Sequence, residues 1–188
     1  MFKGLILGIL LTLLLVAGGV YFYFSTGRAP IATKAPPMPF ESKLAKLGLH
    51  AYLEKLPHPE PQAPANEENL LHGAKIYKEN CAFCHGFPAE EKSAAAKGMY
   101  PPPPQLFHGV GVTDDEAWES YWKVENGIRM SGMPGFKDTL SETQIWQAIV
   151  LVKNADKISE SVKKELTAGV STSMEMTMPS SNPAPKKK

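Results

Sequence analysis

Two cysteines and a histidine stand together in this sequence as Cys81-Ala82-Phe83-Cys84-His85, and the chain has no other cysteine. Thiols three positions apart cannot staple a fold, so the pair points to chemistry and not to a disulfide framework. Its spacing is that of a c-type haem attachment site. Two thiols within one turn can add to the two vinyl groups on one edge of a porphyrin. The adjacent imidazole is then held under the iron, for which a neutral imidazole nitrogen is a strong ligand. Cys81 and Cys84 are therefore the candidate covalent attachment points, His85 is the candidate axial ligand, and one haem c is the implied cofactor. Rival readings fit less well. A thioredoxin-like cysteine pair should follow a strand, and this one follows a helical pattern. A zinc site would need a fourth ligand, and adjacent Cys84 and His85 are awkward as two corners of one tetrahedron.

The elements that must position this motif read as helices. Asn66 is a candidate N-cap for a helix to about Glu79, with Leu70, Gly73, Ala74 and Tyr77 on one side. Thr113 with Glu116 three residues on has the form of a capping box. The helix it would open carries Trp118, Tyr121, Trp122 and Val124, and Gly127 is placed to end it. Ser141 with Gln144 makes a second box, ahead of Ile145, Trp146, Ile149, Val150 and Val152. A shorter helix from Lys157 to Leu166 would align Ile158, Val162 and Leu166. No convincing period-2 strand interrupts the pattern. From Thr167 to Lys188 the chain is small, polar and proline-containing, the composition of a disordered tail. Met174, Met176 and Met178 alternate there as thioethers that could bind copper(I), although such a tail offers no fixed site.

Gly4 to Phe24 is apolar apart from Thr12 and the tyrosine hydroxyls. At ~1.5 Å per residue it spans roughly 30 Å, the thickness of a hydrocarbon core. Tyr21, Phe22, Tyr23 and Phe24 close it with an interfacial aromatic cluster. A cleaved signal peptide is the alternative, with Ala17-Gly18-Gly19 or Ser25-Thr26-Gly27 as small-residue sites. The long apolar run and the tether-like linker after it favour a retained anchor. Gly4 and Gly8 form one GxxxG match, weak evidence of a dimer face. Arg28 to Pro39 is a proline-rich spacer. Glu41 to Leu56 reads as an amphipathic helix with Leu44, Leu47, Ala51 and either Leu53 or Leu56 on its apolar side. Pro57, Pro59, Pro61 and Pro64 form a second linker. The expected organisation is a membrane anchor at 1–27, a proline-rich linker with a short amphipathic helix at 28–65, a haem domain at 66–156, and a short helix with a disordered tail at 157–188.

The net charge of +1 hides an uneven distribution. From Asn66 to Asp156 there are 8 Lys and Arg against 13 Asp and Glu, a balance of −5, and the flanks are basic. No basic stripe suggests a nucleic-acid partner. Charge does not orient the anchor, because Lys3 lies on one side of it and Arg28 and Lys34 on the other.

From about Asn66 to Ala155 the chain resembles a class I cytochrome c, in the membrane-anchored monohaem group similar to the haem subunits of C-family haem–copper oxidases. The resemblance rests on four features in order: Gly73 and Tyr77, Cys81 to His85, Pro104-Gln105-Leu106, and Asn126-Gly127-Ile128-Arg129 leading to Gly132-Met133-Pro134. It implies an all-α fold, a small helical bundle around one covalent haem, with the first helix packing through Gly73 and Tyr77 against Trp146 and Ile149 or Val150. It implies a methionine thioether as sixth iron ligand, for which Met133 is the candidate. Gly132 lets backbone come close there, and Pro134 biases Met133 towards an extended conformation. Met130 is the runner-up, followed by His72, His108, His50 and His58. Pro104 matches the family's proline whose carbonyl accepts the ligand histidine's proton-bearing nitrogen. The segment from Ala89 to Lys97 is an insertion relative to the smallest members. Trp118, Tyr121 and Trp122 are either haem-propionate donors or core, and Arg129 either faces a propionate or is solvated.

The implied function is one-electron transfer between donor and acceptor proteins, with no small-molecule substrate. The haem domain is expected on the periplasmic side, where such proteins receive their haem. A haem enzyme acting on peroxide or a nitrogen oxide is the alternative. It would need an open sixth position, against which the Gly-Met-Pro loop argues.

Overall fold

The computed structural model describes residues 2–88, 90–107 and 115–168. Thr113, His108 and the methionines of the tail lie outside the described residues. No strand occurs among those described. The chain divides into two units, one ending at Leu56 and the other beginning at Pro57.

In the first unit α1 runs Phe2–Ser25, with the length and apolarity of a membrane span or a signal sequence. Its end is tied off by Thr26, whose Oγ1 donates to the Phe22 carbonyl at 2.6 Å, and by Gly27 at φ 70°. The Arg28 guanidinium folds back to 4.9 Å from the Phe22 ring, placing a cation where the last carbonyls concentrate negative potential. Helix α2 runs Glu41–Leu53 and stops three residues before the expected Leu56. The Glu41 carboxylate accepts from the Met38 amide at 2.8 Å. Leu53 is buried, but Leu44 and Leu47, the centre of the expected apolar side, are exposed.

The second unit opens with a strap, because the prolines from Pro57 to Pro64 do not leave the chain free. The His58 ring stacks on Trp118 at 3.9 Å, Gln62 donates to Glu142 at 2.7 Å, and Ala63 is buried in the core. Helix α3 (Glu67–Asn80) follows, capped by the Asn66 side chain on the Asn69 amide at 2.9 Å. Then come the single turn α4 (Ala82–His85), α5 (Ala94–Gly98), α6 (Ala117–Asn126), α7 (Glu142–Lys153) and α8 (Glu160–Thr167). The Ser141–Gln144 capping box forms as expected, with both reciprocal bonds present. Glu116 does not complete a box on α6. It is itself the N-cap, in extended conformation, and the helix waits until Ala117. Lys123 instead draws that end together by bridging Asp115 at 2.8 Å and Glu119 at 2.7 Å.

Helices α3 and α7 form the centre. A Cβ built on Gly73 would lie 2.3 Å from the Gln147 carbonyl oxygen and 3.1 Å from Leu151 Cβ, so only glycine lets the two backbones come this close. The glycine therefore meets the Gln147–Leu151 ridge of α7, and Tyr77 shares the core with Trp146, Ile149 and Val150. Gln147 also donates to Asn69 Oδ1 at 2.9 Å, one turn towards the α3 N-terminus. Around this crossing Tyr77, Trp146, Ile145 and Leu151 are buried, and Tyr121 of α6 stacks on Trp146 at 4.4 Å. Helix α8 adds Val162 and Leu166 to the same core and ties Lys78 to Glu165 at 2.9 Å. The packed core thus continues past Asp156. Gly73→Leu should force the central helices apart and lower the unfolding free energy by about 2 kcal/mol or more, measured by urea unfolding.

Candidate haem-attachment site

Helix α3 ends at Cys81, whose amide still donates to the Tyr77 carbonyl at 2.8 Å. Cys81 also starts α4, its carbonyl accepting from the amides of Cys84 at 3.1 Å and His85 at 2.9 Å. The two thiols and the imidazole therefore sit on one tight turn, with both cysteines free and half-buried. Burial, helped by neighbouring Cys84, pushes the Cys81 thiol up to about 12.

A four-residue helix cannot satisfy its own terminal carbonyls. Here each of four successive carbonyls takes a donor from elsewhere. Phe83 O accepts from Ser93 Oγ at 2.7 Å, and Cys84 O from Gln105 Nε2 at 3.4 Å. His85 O accepts from the Leu106 amide at 3.3 Å, and Gly86 O from the buried Tyr77 hydroxyl at 2.7 Å. Gly86, at φ 77°, makes the turn that lets the chain leave α4 in this direction.

His85 Nδ1 lies 2.8 Å from the Pro104 carbonyl oxygen. A carbonyl can only accept, so Nδ1 carries the proton and Nε2 is the nitrogen with the lone pair. Burial lowers the His85 pKa, and the Pro104 bond opposes this only in part, so the ring is neutral at pH 7. Two free thiols on one turn, with a neutral imidazole whose tautomer exposes Nε2, suit the haem c expected from the motif.

The loop carrying Met133 is closed separately. Ile128 N donates to Met133 O at 3.2 Å, and Ser131 Oγ accepts from Met133 N at 3.2 Å. Gly127, at φ 70°, fits against Gly135: a Cβ on Gly127 would lie 2.5 Å from the Gly135 nitrogen. Met133 is half-buried, whereas Met130 is 92% exposed. His50, His72 and Arg129 are exposed, and His58 is committed to Trp118. Tyr121 has its ring on Trp146 and its hydroxyl on Glu125 at 3.4 Å, so it packs as core.

The sequence reading placed Tyr77 as fold and passed over Ser93 as part of an insertion. Both hold the cysteine turn. For Ser93 the signal was local, a serine ahead of Ala94-Ala95-Ala96, which is an N-cap pattern. Tyr77→Phe should leave a buried carbonyl unpaired and destabilise the fold by about 1–3 kcal/mol, read from chemical unfolding of the variant.

Searches of the curated proteins and of the solved structures return no match. Residues 68–152, which span α3 to α7 and so include the cysteine turn, the Pro104 carbonyl and the Met133 loop, match the family model described as cytochrome c oxidase, cbb3-type, subunit III. The match marks that stretch as a c-type cytochrome domain, which implies haem c binding and supports a role in electron transfer.

Proposed function

We propose that this chain is a one-electron carrier, acting alone or as the haem subunit of a respiratory or dehydrogenase chain. Cys81 and Cys84 would hold a single haem c through thioethers, and His85 and Met133 would supply the ligands to its iron. Helix α1 is retained as a membrane tether, and the haem domain faces the periplasm. When bound, the haem supplies an iron that cycles between two oxidation states. The chain's own residues do the rest. His85 presents Nε2 because Pro104 holds Nδ1–H, and this second bond orients the ring and raises its basicity. The Met133 thioether, on a loop whose backbone Ser131 and Gly127 hold, would favour the reduced state relative to a second histidine.

The observation that carries this reading is the 2.8 Å His85–Pro104 bond, which fixes the ligating tautomer with no help from solvent. The test is spectroscopic, on the haem-loaded chain. Met133→Ala should abolish the weak thioether–iron band of the oxidised protein and let the reduced protein bind carbon monoxide. Met130→Ala should do neither. The reverse pattern would reassign the ligand, and carbon monoxide binding by the unaltered protein would indicate a ligand-transforming enzyme.

Its partners are donor and acceptor proteins, and the −5 balance of residues 66–156 sets their charge. An acidic domain is steered towards neutral or basic faces, an effect on association rate more than on affinity. Electron transfer to a basic acceptor should be faster than to an acidic one, and should slow as salt rises. Stopped-flow measurement against ionic strength checks this.

A further inference from the structure

Residues Ser93 to Met99 do more than extend a loop. Ser93 Oγ donates to the Phe83 carbonyl at 2.7 Å and accepts from the Ala96 amide at 3.1 Å. One hydroxyl therefore both caps α5 and pins it to the cysteine turn. Ala96 is fully buried. At the other end of α5, Met99 is half-buried in extended backbone, and its side chain reaches Gly132. A Cβ built on Gly132 would lie only 1.9 Å from Met99 Cε and 3.6 Å from Met99 Sδ. Gly132 has no left-handed φ, so the backbone does not require glycine there. A Cβ there would instead meet the Met99 methyl, the movable end of the side chain that lies against Gly132.

The geometry points to Met99 as a positioning residue for the sixth ligand. Segment 93–99 is a clasp: it grips the His85 turn through Ser93 and presses through Met99 on the residue before Met133. The cysteine turn and the Met133 loop are thereby linked by one short, capped helix. By packing its methyl against Gly132, Met99 would restrict the loop that carries the Met133 thioether. Shape, more than chemistry, is what Met99 supplies, since it meets Gly132 with its methyl end.

This inference rests on Met133 being the sixth ligand, and the test separates the two. The full haem-loaded chain carries Met99→Ala, Met99→Leu, Gly132→Ala, Met133→Ala, or Met99→Ala with Gly132→Ala. Each is titrated with imidazole, which displaces a weak axial thioether, while the thioether–iron band and the midpoint potential are followed. Met99→Ala should keep its covalent haem but let imidazole bind about five- to tenfold more tightly, the size of coupling expected between contacting residues. Met99→Leu should restore most of the difference. Gly132→Ala should weaken the thioether as well, and adding Met99→Ala should partly rescue it, because the space claimed twice is then claimed once. Unchanged imidazole affinity in Met99→Ala, with Met133→Ala fully open, would overturn the clasp and leave the ligand assignment standing. Loss of the band in Met99→Ala but not in Met133→Ala would overturn both, by making Met99 itself the ligand.

Discussion

A helix of four residues must find outside help for its carbonyls, and this constraint organises the second unit. Helix α4 carries both cysteines' neighbourhood and the histidine, yet its own hydrogen bonds end at Gly86 N to Ala82 O. The carbonyls of residues 83 to 86 are met by Ser93, Gln105, Leu106 and Tyr77, from three separate stretches of chain. Each of those stretches must therefore pass within hydrogen-bond distance of the turn. The route of the chain after His85, out through α5 and back along Pro103-Pro104-Gln105, follows from it.

The Tyr77 bond passes this requirement on to the helix pair. Tyr77 reaches Gly86 only if the last turn of α3 stays in register with the cysteine turn. That register is held by the close approach of Gly73 to the Gln147 carbonyl. The Tyr77 ring, edge-on to Phe107 at 5.0 Å, then closes the space between α3 and the segment that follows Gln105. The helix crossing and the site are thus parts of one arrangement. A residue larger than glycine at position 73 would be felt at Gly86.

Much of this was legible wherever the signal is local. The Asn66 cap, the Ser141–Gln144 box and the Gly127 stop each depend on residues within four positions of one another, and each appears as read. The Pro104 contact needed the family resemblance, because nothing in a proline run says which carbonyl will meet a ring 19 residues away. The strap was missed because prolines that break helices look alike whether they dangle or pack. Only the His58–Trp118 stack and the burial of Ala63 distinguish the two. The exposure of Leu44 and Leu47 is the opposite error, since periodicity shows that a helix has an apolar side but not that anything covers it. The start of α6 was misread because Glu116 is itself the extended N-cap and Lys123 draws Asp115 and Glu119 together across that end, contacts that a three-residue spacing rule does not contain.

The restraints on the turn divide unevenly between what mutation can remove and what it cannot. Every acceptor is a main-chain carbonyl, Pro104 included, so substituting the residues that own them leaves the acceptors in place. The donors are mostly side chains. Leu106 N is main chain, but Tyr77, Ser93 and Gln105 are replaceable. Among these the Gln105 bond, at 3.4 Å, is long for an N–H···O contact and the weakest. The Tyr77 bond is short and buried, where an unpaired carbonyl is most costly. Position 77 therefore governs whether the turn keeps its shape. The backbone path through Pro104 governs only how the imidazole is aimed once the turn is in place. The stability of the turn and the aim of the imidazole can in this way vary separately, even though they meet at the same turn.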